Sequence, residues 1–231
     1  MPSTKRTKAD VKVRELHNGD RMTREEFHRA YENTPENFKA ELIGGIVYVA
    51  SPLKIGHGSS HLILGSLFGM YEGSTPGVEA SDNTTVLLGF EGEPQPDLYL
   101  RVLPAYGGQS RTTKNDYVEG PPELIAEIAH SSRAIDLHAK REDYTRYGVL
   151  EYLVVSLQEK RLRWFDLKEE EELSADSKGV VRLHSFPGFW IDQAALLEKN
   201  HRRLFGVLNQ GLASKAHAAF VEKLSKAANQ K

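Results

Sequence analysis

Hydrophobic and polar positions change period several times along the chain, and each change predicts an element. Residues 23–32, TREEFHRAYE, read as a short helix, with Thr23 as N-cap and Glu26 at the capping-box spacing. In 41–52, ELIGGIVYVASP, the β-rich run Ile46–Val49 follows Gly44-Gly45, which predicts a hairpin with a tight turn. Leu62, Leu67, Phe68 and Tyr71 recur near helical spacing, so 58–72 is expected to be an amphipathic helix despite its glycines. Short strands are expected near 78–81 and 84–89, and another over 95–102. Residues 104–122, rich in Gly and Pro, read as a long loop.

The second half repeats the strand–helix–strand alternation. LIAEIAH (124–130) has the length of a buried strand. A polar helix over 134–147 is expected to stop at Gly148, a natural residue just past a helix end. EYLVVSL (151–157) turns at 158–160 into RLRWFDL (161–167), and VVRLHSF (180–186) is a further strand ended by Pro187-Gly188. Asp192 is placed to cap a final helical stretch, with Gly206 and Gly211 as candidate breaks. Leu197, Leu204, Leu208, Phe220 and Leu224 form its apolar stripe, an intramolecular or dimer packing face.

Composition narrows the class. The 231 residues include no cysteine, which excludes disulfides, thiolate metal sites and a cysteine nucleophile. A net charge of -2 argues against a broadly basic nucleic-acid coat, though not against an enzyme with a local basic groove. Charge is uneven: residues 1–14 carry Lys5, Arg6, Lys8, Lys12 and Arg14 against Asp10 alone. The start has no signal-peptide core, and no stretch approaches the ~18 apolar residues of a membrane span, so a cytoplasmic protein with no membrane partner is expected.

The informative chemistry is a charge in an apolar strand. Glu127 shares a strand face with Ile125 and Ala129. Burying a carboxylate there is costly unless it is paired or binds a cation. Asp97, in Pro96-Asp97-Leu98-Tyr99-Leu100, repeats the anomaly. One such acid is commonly matched by a salt bridge or a cap. Two point to oxygens aimed at one place, the way Mg²⁺ is held by one or two carboxylates with waters and substrate phosphates. In the following helix Asp136, Lys140, Tyr144 and Tyr147 fall on one face. Lys140 is placed to reach the carboxylates and steady an attacking water; the alternative is a surface Asp136–Lys140 pair. Tyr106, Arg111, Lys114 and Tyr117 of the long loop have the chemistry to touch nucleic acid.

Pro96-Asp97, then Glu127, then a helical lysine resembles the PD-(D/E)XK nuclease superfamily, the restriction-endonuclease-like fold. More narrowly, the chain resembles the Uma-type restriction endonucleases over about 22–196. That resemblance is carried by Glu41–Val47, Ser51-Pro52, His57, Pro96-Asp97, Glu127–Ser132, Asp136…Lys140…Tyr144 and Gly148–Tyr152. It implies an α/β (α+β) domain with a central mixed β-sheet flanked by helices. An N-terminal hairpin and a C-terminal helical tail add to that core. It also implies Mg²⁺ or Mn²⁺ on Asp97 and Glu127 and a lysine beside the water. The usual lysine two residues after the glutamate is Ala129 here, so Lys140 is the substitute. Glu41 and His57 are supporting candidates, with Asp136 and Tyr144.

The expected organisation is a flexible arm over 1–20, the endonuclease-like domain over 21–196 and a helical extension over 197–231. The expected function is metal-dependent hydrolysis of DNA phosphodiester bonds, by a chain that pairs as a homodimer. The alternative is a catalytically inactive module of the same fold that binds DNA or a protein partner.

Overall fold

The computed structural model describes residues 14–129 and 134–230. Most of the expected basic arm, and Ser131-Ser132 as a helix cap, lie outside the described residues.

Helix α1 (Arg24–Tyr31) starts on the expected capping box. The Thr23 hydroxyl accepts from the Glu26 N–H at 3.3 Å, and the Glu26 carboxylate accepts from the Thr23 N–H at 2.9 Å. Strands β1 (Ala40–Ile43) and β2 (Ile46–Val49) form the hairpin. Its turn residues Gly44 and Gly45 sit at φ 55° and 73°, the left-handed pair that a two-residue hairpin turn requires. Helix α2 (Ile55–Ser74) then buries Leu64, Leu67, Phe68 and Tyr71.

Next come β3 (Val78–Asp82), β4 (Val86–Leu87), β5 (Leu98–Val102), a 3₁₀ turn at Pro104–Tyr106, β6 (Arg111–Thr112), β7 (Val118–Glu119) and β8 (Leu124–Ala129). The long loop is therefore not featureless. Its strands β6 and β7 join β4 in a small three-stranded sheet. Arg111 pairs within it to Glu119 at 2.7 Å, and Tyr117 stands edge-on to His28. Beyond the described gap, a π-helical turn (Ile135–Ala139) runs into α3 (Lys140–Tyr147), which ends at Gly148 as expected.

Strands β9 (Glu151–Ser156), β10 (Arg161–Asp166) and β11 (Glu171–Leu173) follow, then the pair β12 (Val180–Arg182) and β13 (Trp190–Asp192). The main sheet has the order β11-β10-β9-β8-β5-β3. It is mixed: β8 and β9 are parallel, with α3 in the crossover, and the other pairings are antiparallel. Alternation sends Leu124, Ala126 and Ile128 to the face covered by α2, and Ile125 and Ala129 to the face that packs Tyr144 of α3. The expected fold, a central mixed sheet flanked by helices, is the one observed.

Helices α4 (Gln193–Leu197), α5 (His201–Leu212) and α6 (Lys215–Ala228) close the chain, each with a side-chain cap, from Asp192, Asn200 and Ser214. Leu204, Leu208, Phe220 and Leu224 join the main core, so the stripe packs intramolecularly. Among the described residues no helix is long and apolar enough to cross a membrane.

The two glycines of α5 do not break it; the break falls at Ala213-Ser214. They differ physically. A methyl group on Gly206 meets nothing within 4 Å, whereas one on Gly211 falls 2.1 Å from the Gly188 carbonyl oxygen. Gly206→Ala is expected to stabilise by about 0.5–1 kcal/mol. Gly211→Ala reverses the sign, costing about 1–3 kcal/mol by overpacking. Urea midpoints of the two variants, moving in opposite directions from wild type, check the pair.

Candidate active site

Strand register brings the two anomalous acids together. Leu98 pairs with Ala126 in the antiparallel β5–β8 ladder, so the preceding residue, Asp97, stands opposite Glu127. The Ile128 N–H donates to Asp97 Oδ2 at 2.7 Å, and the Asp97 N–H points at Glu127 Oε2 at 3.4 Å. The 30 residues that separate them in sequence hold β5, the Pro104–Tyr106 turn, β6 and β7, and the β5–β8 ladder closes the gap.

Three other elements converge on this pair. From the crossover helix, Lys140 Nζ donates to Glu127 Oε1 at 2.9 Å and lies 3.8 Å from Asp136 Oδ1. The Tyr144 hydroxyl donates to the same Glu127 oxygen at 2.9 Å. From the hairpin, Glu41 Oε2 lies 3.0 Å from Lys140 Nζ, while Glu41 Oε1 accepts from the Gln95 N–H at 2.7 Å. From α2, on the opposite face of the sheet, His57 Nε2 lies 3.2 Å from Asp97 Oδ1. One more bond fixes the frame: the Gly44 N–H donates to Asp143 Oδ2 at 2.5 Å, tying the hairpin turn to α3.

All seven expected site residues therefore meet at one place: Asp97, Glu127, Lys140, Glu41, His57, Asp136 and Tyr144. Tyr147 does not join them. It packs against the turn at Gly89 and Gly92. The Asp136–Lys140 contact is no surface pair, because Asp136 is 2% and Lys140 5% exposed. Helical spacing alone did not foresee the π turn, which widens the helix where Asp136 enters; such turns recur at functional sites. His61 was missed as well. Its Nε2 contacts the Asp97 carbonyl oxygen at 2.7 Å, and its i+4 spacing from His57 was the available signal.

Among the described residues three carboxylates, of Glu127, Glu41 and Asp136, lie within 4 Å of the Lys140 ammonium, and the electrostatics follow. Burial works against the charge of Lys140, but the fields of Glu127, Glu41 and Asp136 outweigh it and hold Lys140 well above an ordinary lysine. It stays an ammonium and is no base. Burial, with the fields of Asp97, Asp136 and Glu41, pushes Glu127 well above the usual carboxylate range, against the pull of Lys140. Burial also pushes Asp97 up, but His57 and the Ile128 N–H outweigh it and the group is held low. His57 is raised, chiefly by its hydrogen bond to Asp97 and against burial.

Among the described residues Asp97, Glu127 and Glu41 crowd together beside the one ammonium of Lys140, and such crowding in a buried site is relieved by a proton or a cation. Asp97 Oδ1 has a contact at 3.2 Å, to His57, and Glu127 Oε2 one at 3.4 Å, from the Asp97 N–H. Among the described residues no three side chains of ligating type stand ready to hold a metal. The donor set fits a hard cation that takes two protein carboxylates and draws its other ligands from water and phosphate, the habit of Mg²⁺.

No sequence match was found among curated proteins. Among solved structures the chain resembles a crystal structure from Anabaena variabilis, titled a "putative nuclease belonging to DUF820". The two share 13% identity at a TM-score of 0.58, over 77% of this chain and 98% of that one, which is a likeness of fold. The profile of a family described as "Uma2: Putative restriction endonuclease" matches residues 24–194, a span that contains every residue of the cluster. The chain belongs to the Uma2 family.

Proposed function

We propose that the chain is a metal-dependent nuclease that hydrolyses DNA phosphodiester bonds. The observation that carries this reading is the pairing of the Asp97 and Glu127 carboxylates across the β5–β8 ladder, with Lys140 on Glu127, in a chain whose family bears the description restriction endonuclease. Asp97 and Glu127 would hold Mg²⁺ or Mn²⁺. Bound there, the ion supplies Lewis acidity to the phosphodiester and to its attacking water.

The chain's own residues set the geometry. The Ile128 N–H and His57 orient the Asp97 carboxylate. Tyr144 and Lys140 both hold Glu127 Oε1, leaving Oε2 turned toward Asp97. Lys140 has three N–H donors, and two are engaged at 2.9 and 3.0 Å. The third, with Asp136 Oδ1 at 3.8 Å and no acceptor within hydrogen-bond distance among the described residues, would orient a water and meet the charge that builds on the phosphate oxygens. The water oxygen attacks phosphorus, and the P–O bond to one sugar oxygen breaks. One new end keeps the phosphate and the other takes a proton as its hydroxyl. A pair of chains would set two such centres against the two strands of a duplex.

The test is cleavage of supercoiled plasmid in Mn²⁺ or Mg²⁺, by wild type and by Asp97→Asn. Nicked or linear product is expected from the wild type, lost in excess EDTA and lowered at least about 100-fold in the variant. Cleavage that survives in EDTA or in Asp97→Asn overturns the reading.

A further inference from the structure

A phosphodiester strand that approaches the Asp97–Glu127 carboxylates is repelled by them, so a strand held there needs positive ground close by. We infer that the face built by the start of α2 and the α4–α5 turn is a docking surface for the phosphate backbone of duplex DNA, met by the side chains of Lys54, Lys199 and Arg202. That the polyanion is DNA rests on the nuclease reading; the basic face does not.

The sequence segregates its charge here. Asp and Glu make up 32 of the 231 residues, yet neither occurs over 42–71 or over 199–221. The fold packs these two stretches together, because α2 lies against α4 and α5 on one face of the sheet. Lys54, Lys199 and Arg202 are exposed there, and among the described residues none of the three is in an ion pair. The rest of the rim is nearly neutral: Arg203 is paired to Asp192 at 2.6 Å, and Glu198 borders the acid-free run. Three unpaired cations on one exposed face have the charge that a phosphate backbone complements.

A second observation is the backbone of Lys199. It sits at φ 57°, in the left-handed region, one residue past the C-cap of α4, where glycine is the usual occupant. A lysine there carries strain that glycine would not, and such strain is retained where the side chain has a task. The side chain crosses to α2. Its Nζ donates to Ser59 Oγ at 2.5 Å, and Ser59 Oγ donates to the Gly56 carbonyl oxygen at 3.2 Å. Among the described residues that is the ammonium's one hydrogen bond, so two of its three donors stay open to a phosphate. Ser59 lies about 3 Å along the helix axis from His57, and His57 Nε2 is 3.2 Å from Asp97 Oδ1. The ammonium therefore stands on the same turn of α2 that reaches the carboxylate pair.

Lys199→Gly separates a DNA contact from a structural brace. It removes the ammonium and gives the left-handed position the residue it favours, so affinity is expected to fall without any loss of stability. The triple variant Lys54→Ala, Lys199→Gly, Arg202→Ala clears the face. All three side chains are exposed, so the fold is expected to hold.

The experiment follows binding of the full-length chain to a fluorescein-labelled duplex by anisotropy, across salt concentrations, in EDTA and again in Ca²⁺. At about 0.1 M salt Lys199→Gly is expected to bind about 5–10-fold more weakly, with a salt slope reduced by about 1. Its Tm is expected to stay level or rise by about 2–4 °C. The triple variant is expected to lose about 3 from the slope and at least about 100-fold in affinity. Wild-type affinity and slope in the variants, or no binding by the wild type, overturns the face. So does tighter binding of the wild type to anionic phospholipid vesicles than to the duplex. A lowered Tm in Lys199→Gly makes the lysine a brace between α2 and α4 and overturns its part in the face. If the face fails while the wild type still cuts plasmid in Mn²⁺ or Mg²⁺, the nuclease reading stands. If binding falls as expected but no divalent metal supports cleavage, the nuclease reading fails and the basic face stands.

Discussion

Lys140→Met is expected to lose about 3–5 kcal/mol of stability, the largest loss from any single substitution in the site. The thioether fills much of the lysine stem's volume, so packing is nearly kept. What goes is the ammonium 2.9 Å from Glu127 and 3.0 Å from Glu41, with Asp136 at 3.8 Å. The carboxylates are then left facing one another in a buried place. Glu127→Gln moves the other way. Its amide oxygen still accepts from Lys140 and Tyr144, while a carboxyl that burial and its acidic neighbours already push toward the protonated form becomes permanently neutral. Stability is expected to hold or rise by about 1 kcal/mol, at the expense of function. The double variant recovers much of the Lys140→Met loss, because the two changes act on one charge balance. Urea midpoints of the three variants measure this. A Lys140→Met chain within about 1 kcal/mol of wild type would mean that the cluster is solvated and its charges screened.

Glu151→Ala is expected to cost about 3–5 kcal/mol for a different reason. Glu151 is buried at the start of β9, and among the described residues no cation pairs with it. Its Oε1 accepts from the Trp164 indole N–H at 2.8 Å and the His184 N–H at 3.0 Å. Its Oε2 accepts from the Ser185 N–H at 2.6 Å and from the Ser185 hydroxyl. One carboxylate thus ties the segment before Pro187 to β9 and β10 of the central sheet. Truncation leaves an indole and two backbone N–H groups buried without acceptors. Glu151→Gln loses about half as much, since its amide keeps one acceptor oxygen but turns an NH₂ toward N–H donors. Unfolding followed by tryptophan fluorescence measures both, and a loss below about 1 kcal/mol in Glu151→Ala would deny this carboxylate its structural part.

Comparing Glu127 with Glu151 indicates what a sequence can disclose. Glu127 stands inside an aliphatic strand, where alternation fixes its face, so its burial was legible before any coordinates. Glu151 opens its strand, where an acid looks like an ordinary solvent-facing residue; its donors come from 164, 184 and 185, positions no local pattern connects to it. Lys140 was legible from helical spacing relative to Asp136 and Tyr144. That it meets Glu41 depends on the Gly44–Asp143 bond across the fold, which only tertiary structure contains. Asp97 and Glu127 could be paired by chemistry, but their register could not be read. The loop between them hides two strands of two residues each, too short for periodicity to detect. The helical end of the chain was legible as helix. Its break at Ser214 was not, because Gly206 and Gly211 are stronger breakers by composition than the serine that caps α6.

Calorimetric titration of Mn²⁺ tests whether Asp97 and Glu127 hold a divalent cation. Wild type and Glu127→Gln are compared in the presence of a short DNA duplex, because phosphate oxygens complete the ligand set of such ions. The glutamine variant is the right control because it is expected to stay folded. One saturable Mn²⁺ site is expected in the wild type and none in Glu127→Gln. Equal heats from both chains, or no saturable binding by the wild type with DNA present, would contradict it.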